Sequence, residues 1–259
     1  MQATGQSGIW RFLPLLAWIL AGMGLLALVL LAVGGPGYRM DWWELGTGFT
    51  LLRWGAWLGV AVIVLGVIAG GLLLWRGEHR ALMPAVAGLV CAAIAVSIPM
   101  YWQARADSVP PIHDISTDLD DPPEFVAVAP LREDAPNPVE YAGEETAEAQ
   151  REAYPHIETL RVSADMATTT DAAVRLASRR GWDLVEADPG EGRIEATATT
   201  RWFGFKDDVV IRIRTEDDQT LVDMRSKSRF GRSDVGTNAA RIDAFLADLK
   251  AELGEPEGE

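Results

Sequence analysis

Cysteine and histidine are scarce in this sequence of 259 residues, which contains one Cys and three His. A single Cys excludes a fold stapled by disulfides, and there is no CxxC or HExxH pattern of the kind that holds zinc. Cys91 lies in an apolar run, where it is most simply a small buried side chain. The sequence therefore predicts neither a metal site nor a cofactor.

Charge is scarce in the first part of the chain. Residues 1–102 carry five arginines and three carboxylates, a net +2, which leaves 18 basic and 34 acidic residues, a net −16, in residues 103–259. About 20 helical residues cross the core of a bilayer. Three uncharged runs have 22 residues each: 12–33, 54–75 and 81–102. Residues 1–104 are therefore predicted to form a three-helix transmembrane bundle, with the lipid bilayer as its first partner.

The three runs contain no Asp, Glu, Lys or His. This disfavours a transporter or channel, because ion pathways through a membrane use such side chains. The middle run has glycines at the small-xxx-small spacing that lets helices approach closely: Gly55, Gly59, Gly66 and Gly70. They favour packing within the bundle, with a homo-oligomer as the alternative.

The arginines that flank the runs are balanced, three on each side of the membrane. The loop Arg76–Arg80 joins two runs and concentrates two arginines, which favours the cytoplasm for that loop. Three spans then place the C-terminal part on the opposite side. We expect a multi-pass protein of the bacterial inner (plasma) membrane with a periplasmic C-terminal domain.

Residues 105–155 are rich in acids and proline. Between Asp107 and Glu152 there are 13 acidic residues, two arginines and seven prolines. This composition predicts an extended, solvated linker that holds the next domain away from the bilayer. The stretch His113–Asp121 is an alternative site for a hard cation such as Ca²⁺, but it lacks the glycine turn and late Glu of an EF-hand loop. The linker is the favoured interpretation.

Residues 156–252 show strand and helix patterns, and residues 253–259 are predicted to be an acidic tail. Predicted strands cover residues 157–162, 182–187, 193–202, 209–215 and 220–230, and predicted helices cover 172–180 and the region from 235 onward. The fold class is therefore an α+β domain with an antiparallel meander sheet in the order β-α-β-β-β-β-α. Both helices cover one sheet face, and the other face is expected to be wet.

Cations alternate with apolar residues along the last two predicted strands, so that they share the wet face. Five of them lie side by side if the strands pair: Arg212, Arg214, Arg225, Lys227 and Arg229. Arg193 and Arg201 join them from the third predicted strand. This face either binds an anionic ligand or is an ordinary solvated face, neutralised in part by acids such as Glu195 and Asp223. A variant is that the acidic linker folds over the face and competes with the ligand.

The segment Ser228–Asn238 runs from a strand into a helix start. Its glycines, hydroxyls and Arg232 suit an anion, because free backbone N–H groups and the helix dipole favour negative charge. The alternative is that Ser233 or Asp234 caps the helix.

The runs Phe205–Arg212 and Arg225–Ile242 resemble the bacterial domain-of-unknown-function family 1499. The likeness covers about residues 110–250, includes Ile112–Asp118, and rests most specifically on the SRxGxSDxGxN-like stretch. Similar proteins are often predicted to be exported or membrane-attached, which supports the periplasmic placement. The resemblance implies no activity and no catalytic residue.

The sequence offers few candidate catalytic residues. Only His113 and His156 lie outside the membrane part, and no GxSxG motif is present. We therefore expect no enzyme and no catalytic residues. Nucleic acid is disfavoured as a partner because the domain is acidic.

The sequence favours a membrane protein whose domain binds an anionic ligand, such as a lipid headgroup or acidic polymer, or an envelope partner. The predicted ligand-binding residues are Arg212, Arg214, Arg225, Lys227, Arg229, Arg232, Ser233 and Asn238. The alternatives are a structural or assembly protein that acts through its helices, and an unrecognised enzyme.

Overall fold

A computed structural model describes residues 8–254, apart from the side chain of Ile9. The chain divides into two units. The first extends to Ala104 and includes Trp202–Gly204, and the second comprises the remainder. Of the predicted acidic tail, residues 255–259 lie outside the described residues.

The first unit is built from long helices, α1 (Leu13–Arg39), α2 (Leu45–Arg76) and most of α3 (Leu82–Asp107). Within the described residues, three segments are long and apolar enough to cross a membrane, with mean hydropathies of 2.6, 2.5 and 2.3. The prediction of three long apolar helices is confirmed. Each helix extends beyond its uncharged run. Helix α1 continues to Arg39, α2 begins at Leu45, and α3 continues to Asp107.

Glycines allow the helices of the first unit to pack closely. A Cβ at Gly55 would lie 2.9 Å from the Ala27 carbonyl oxygen of α1, and one at Gly59 would lie 3.1 Å from the Ala92 oxygen of α3. Gly66 faces Leu89, whereas nothing lies within 4 Å of a Cβ at Gly70. Three of the four predicted glycines therefore lie at close contacts inside the bundle, and the contact at Gly55 is with backbone, where a side chain would force the helices apart.

The second unit contains a six-stranded antiparallel sheet. Its elements are β1 (Asp114–Ser116), α4 (Glu144–Ala153), β2 (Leu160–Val162), α5 (Met166–Arg179), β3 (Asp183–Asp188), β4 (Arg193–Thr199), β5 (Lys206–Glu216), β6 (Gln219–Ser228) and α6 (Thr237–Glu252). The strand order is β1-β6-β5-β4-β3, and β2 also pairs with β6. From β2 onward the predicted order β-α-β-β-β-β-α is confirmed.

Helices α5 and α6 cover one face of this sheet. Ile211 and Met224 of the sheet and Leu176 and Phe245 of the helices belong to one buried cluster. Trp182 stacks on Phe245 with ring centroids 5.2 Å apart. The apolar half of the strand alternation therefore forms the core, as the pattern predicts.

The prediction that residues 105–155 form a solvated spacer is wrong. Only residues 108–113 separate α3 from β1, and residues 117–142, here called the strap, cross the polar face of the sheet. The prediction rested on composition, which considers only the apolar area that the segment itself can bury. The segment instead exchanges charges with the sheet and contributes Phe125 and Val128 to a small cluster with Val210. The expectation of a wet second face is wrong for the same reason.

Candidate functional site

The centre of the polar face is a buried ion pair between β1 and β6. Antiparallel pairing sets Asp114 opposite Lys227, so the Asp114 carboxylate meets both cations of β6. Asp114 Oδ1 lies 2.9 Å from Arg225 Nε, and Asp114 Oδ2 lies 3.0 Å from Lys227 Nζ. The exposed fractions are 0% for Asp114, 2% for Arg225 and 1% for Lys227. Burial lowers the pKa of Lys227, and the charge of Asp114 opposes that shift.

The strap covers this pair with rings and carbonyl groups. The Arg225 guanidinium lies 4.8 Å from the centroid of Phe125 and 5.3 Å from that of Tyr141. It also donates to the carbonyl oxygens of Pro123 and Val139 at 3.2 and 3.1 Å. Burial, followed by the charge of Asp114, raises the pKa of Tyr141 to about 12. Every donor group of this guanidinium therefore has a partner within the domain.

A second aspartate, Asp208 of β5, also holds two cations. Its Oδ2 lies 2.8 Å from Nη1 of Arg132 in the strap and 2.8 Å from Nε of Arg229. Its Oδ1 accepts a hydrogen bond from the Thr197 hydroxyl at 2.7 Å. Arg132 is buried, which lowers its pKa, and the adjacent Asp208 opposes that shift. The strap thus contributes cations as well as acids to the face.

Arg212 and Arg214 lie at the margin of the same network. Arg212 Nη2 is 2.9 Å from Asp223 Oδ2 and 3.0 Å from Asp118 Oδ2, and Arg214 Nη2 is 3.4 Å from Asp223 Oδ2. Arg212 also pairs with Asp121 of the strap at 2.7 Å. These side chains are partly exposed, but their charge is balanced by carboxylates of the domain itself.

Glu195 holds the middle of the strap through its backbone. This fully buried carboxylate of β4 accepts N–H groups from Val126 at 2.8 Å, Ala127 at 3.1 Å and Val128 at 2.9 Å. Several N–H donors stabilise a carboxylate inside a protein, since they replace its lost hydration. A buried acid on the sheet is therefore a specific anchor for the strap.

The loop between β6 and α6 is closed by its own side chains. Asp234 accepts N–H groups from Gly236 at 2.8 Å and Asn238 at 2.6 Å, and Ser233 Oγ accepts that of Val235 at 3.1 Å. Burial raises the pKa of Asp234. The N-cap position of α6 is Gly236, so neither Ser233 nor Asp234 is the capping residue itself, although Asp234 accepts the N–H of Asn238 in the first turn. Val235 has φ +56°, and its carbonyl oxygen accepts from Arg105 Nε at 2.9 Å.

The eight predicted ligand-binding residues do not form one open surface. Arg225, Lys227 and Asn238 are buried, Arg212, Arg214 and Arg229 are ion-paired, and Ser233 helps close the loop. Only Arg232 is exposed and forms no ion pair in the described part of the chain. In the structure the acidic strap covers the cationic face, as the hypothesis of a folded-over linker expects. The sequence signal for it was a run of acids next to a face of cations.

One end of the sheet presents a different surface, here called the rim: Phe205, Lys206, Phe230 and Arg232. The two rings stack with centroids 6.2 Å apart, and Phe230 is 49% exposed. Lys206 follows Phe205 in the chain and is exposed, as is Arg232. The chain enters the domain at the same end, because the carbonyl oxygen of His113 accepts the N–H of Ser228 and that of Ile112 accepts the N–H of Asp234.

The stretch His113–Asp121 does not gather its carboxylates around a cation. Asp114 and Asp118 are instead paired with arginine and lysine side chains. Among residues 8–254 no group of His, Cys, Asp and Glu side chains is placed to hold a metal ion.

Comparison with known proteins places the second unit in a family. A model of the family described as "Protein of unknown function (DUF1499)" matches residues 114–249, from β1 into α6. No curated protein matches the chain. The matched region begins at Asp114 and contains the strap, the polar face of the sheet and the rim. On this match, which covers more than half of its length, the chain belongs to the DUF1499 family.

Proposed function

We propose that this chain is a non-catalytic protein of the inner membrane whose domain binds the anionic headgroups of the bilayer that carries it, on the periplasmic side. The observation that supports this function is the position of the rim. Its two aromatic rings and two cations lie at the end of the sheet where the chain arrives from α3.

The short connection supports a position of the domain close to the bilayer. Six residues, 108–113, join the last residue of α3 to the first residue of β1. A chain of six residues spans at most about 20 Å when fully extended. The proposal therefore assigns headgroup contact to the end of the sheet at which these residues arrive.

The chemistry of the rim suits a headgroup layer. Aromatic rings favour the interface between lipid and water, and a Lys or Arg near an anionic surface contributes about 1 kcal/mol. The remainder of residues 103–259 is strongly acidic, with a net charge of −16 for the whole stretch. An anionic bilayer repels such a surface, so the charge distribution favours contact through the rim alone.

The polar face of the sheet supports a non-catalytic domain. Its buried acids and bases are paired with each other in fixed ion pairs, as in Asp114 with Arg225 and Asp208 with Arg132. These groups hold the strap on the sheet, so their role in the fold is structural.

Membrane depth of the rim tests the proposal. We would place the full chain with Cys91→Ser in nanodiscs, attach a nitroxide at Phe230→Cys, and compare its accessibility to oxygen and to a soluble nickel chelate. Asp171→Cys on α5, an exposed position away from the rim, is the matched control. We expect the Phe230 label to lie in the headgroup layer of anionic nanodiscs and to move into water in Lys206→Gln/Arg232→Gln. Equal water exposure of both labels in anionic nanodiscs would contradict the proposal.

The side of the membrane needs a separate measurement. Alkaline phosphatase, which is active only in the periplasm, is fused after Glu259, with a cytoplasm-only reporter as the control. Phosphatase activity is the expected result. Activity of the cytoplasmic reporter would instead place the C-terminal domain in the cytoplasm. The domain could then contact only the headgroups of the inner leaflet.

A further inference from the structure

The edge of β6 carries two short strands with a gap between them. β1 pairs with residues 225–227 of β6, and β2 pairs with residues 220–222. Asp223 and Met224 lie in the gap. Thr117 bonds to both backbone groups of Met224, and the Thr159 hydroxyl donates to Asp223 Oδ1 at 2.6 Å. Two segments that are 42 positions apart in the sequence therefore border one interruption of the sheet.

A cleft of about 500 Å³ opens at this gap. Three segments line it: the start of the strap, the end of α4, and the approach to β2. Gln150 of α4 fixes α4 to the end of β1, just before the strap, because its side chain donates to the Ser116 carbonyl oxygen and accepts the Ser116 N–H at 3.0 Å. The cleft is thus built from ordered parts of the fold, and its size suits a small polar molecule.

Charges of both signs line the cleft and stay available to a ligand. Glu158 precedes β2 and Arg161 is its middle residue, and both side chains are exposed. Neither forms an ion pair within residues 8–254. Asp120 and Arg151 also line the cleft and form an exposed ion pair at 3.8 Å. Glu158 and Arg161 are therefore the opposite charges that stay available, and they complement a molecule that carries an ammonium and a carboxylate group.

We propose that this cleft binds a zwitterion of the amino-acid or short-peptide class, with Arg161 holding the carboxylate and Glu158 receiving the ammonium group. The Tyr154 ring and the Thr159 side chain provide the remaining polar and apolar contacts of the cleft. The cleft is distinct from the rim, so this ligand is independent of headgroup binding.

The test uses the full chain in nanodiscs and three related peptides. Ala-Ala carries both charges, N-acetyl-Ala-Ala keeps only the carboxylate, and Ala-Ala amide keeps only the ammonium group. Saturable binding is followed by amide chemical shifts of residues 117–120 and 157–161. We expect Ala-Ala to bind most tightly. We expect Arg161→Gln and Glu158→Gln each to weaken it about tenfold or more, as for a lost charged hydrogen bond.

The variants separate the two charges. Arg161→Gln should leave the affinity for Ala-Ala amide unchanged, and Glu158→Gln should leave that for N-acetyl-Ala-Ala unchanged. Glu145→Gln, an exposed acid on α4 outside the cleft, is the matched control and should change nothing. Absence of saturable Ala-Ala binding, or equal binding of Ala-Ala to all variants, would overturn the proposal. Tighter binding of N-acetyl-Ala-Ala than of Ala-Ala would overturn the assignment of a zwitterion.

Discussion

Asp114 and Arg225 form a bidentate ion pair beneath the strap, with Oδ1 to Nε and Oδ2 to Nη2 both at 2.9 Å. Neither side chain has meaningful contact with water. The pair lies in a low-dielectric setting, where a charge without its partner is very unfavourable. Because Asp114 and the strap occupy the donor groups of Arg225, this part of the polar face is closed to solvent.

Replacement of Asp114 by Asn keeps the shape of the side chain and removes its charge. Arg225 and Lys227 then remain buried without a counter-charge, so we expect a loss of about 3–5 kcal/mol in the free energy of unfolding. Pulse proteolysis of the full chain in urea measures the change for the domain. Asp171→Asn on α5, an exposed position, should change stability by less than about 0.5 kcal/mol. A similarly small effect of Asp114→Asn would show that the pair is solvated.

Glu195→Gln tests the anchor of the strap. The amide oxygen accepts more weakly than the carboxylate, and the amide NH₂ meets backbone donors, so the three strap N–H groups lose part of their bonding. We expect the strap to open more often, at a cost of about 1–3 kcal/mol. Trypsin cleavage after Arg132, a buried strap residue, reports opening. Glu145→Gln should leave the cleavage rate unchanged, and an equal rate in Glu195→Gln would exclude this anchoring role.

The order from β2 onward was predictable because those strands carry local alternation and turn signals, whereas β1, three residues inside the acidic segment, was missed. Val209, Ile211 and Ile213 recur at every second position, and this spacing assigns them to the core, although Val210 on the other face is also apolar. The strap has no such signal. Its stability comes from long-range pairs, such as Arg132 with Asp208, whose partners are 76 positions apart in the chain. Composition therefore predicted a solvated linker where the structure has a cover for the sheet.

Val235 adopts a left-handed backbone conformation, with φ +56°. A β-branched residue pays about 1–2 kcal/mol in this region, and glycine does not. We expect Val235→Gly to leave the domain as stable as before or to stabilise it by up to about 1 kcal/mol. Thr215→Gly, at an exposed position of β5 that pairs regularly with Thr220 of β6, should lower stability by about 1 kcal/mol. Equal losses in the two variants, measured by urea unfolding, would show that Val235 is unstrained.

Stability should also depend on the protonation of His113. Burial and the charge of Lys227 lower its pKa below the ordinary value of about 6.5, and Arg132 acts in the same direction against Asp114 and the Arg232 backbone. The unfolded chain then binds a proton more readily than the folded chain. The free energy of unfolding therefore has its full value, as far as His113 is concerned, above about pH 6.5. It falls as the pH drops through the folded pKa of His113. Urea unfolding between pH 5.5 and 7.5 should show a smaller slope for His113→Asn, and an unchanged slope would contradict this assignment.

The candidate site was predictable only in part. The alternation of Arg212, Arg225 and Lys227 correctly assigned these cations to one sheet face. Whether solvent reaches that face depends on the strap, and no local sequence pattern predicts that the strap lies over it. The rim escaped detection for a similar reason, since Phe205 and Phe230 are 25 positions apart and become neighbours only when β5 pairs with β6.

Hydrogen exchange of the strap in the full chain tests the central claim most directly. If residues 117–142 close the cationic face, the amides of Val126, Ala127 and Val128 should exchange orders of magnitude more slowly than in an unstructured peptide, because Glu195 holds them. Exchange of these amides at the rate of a free peptide would contradict the account, and would mean that the cations of β5 and β6 are open to ligands.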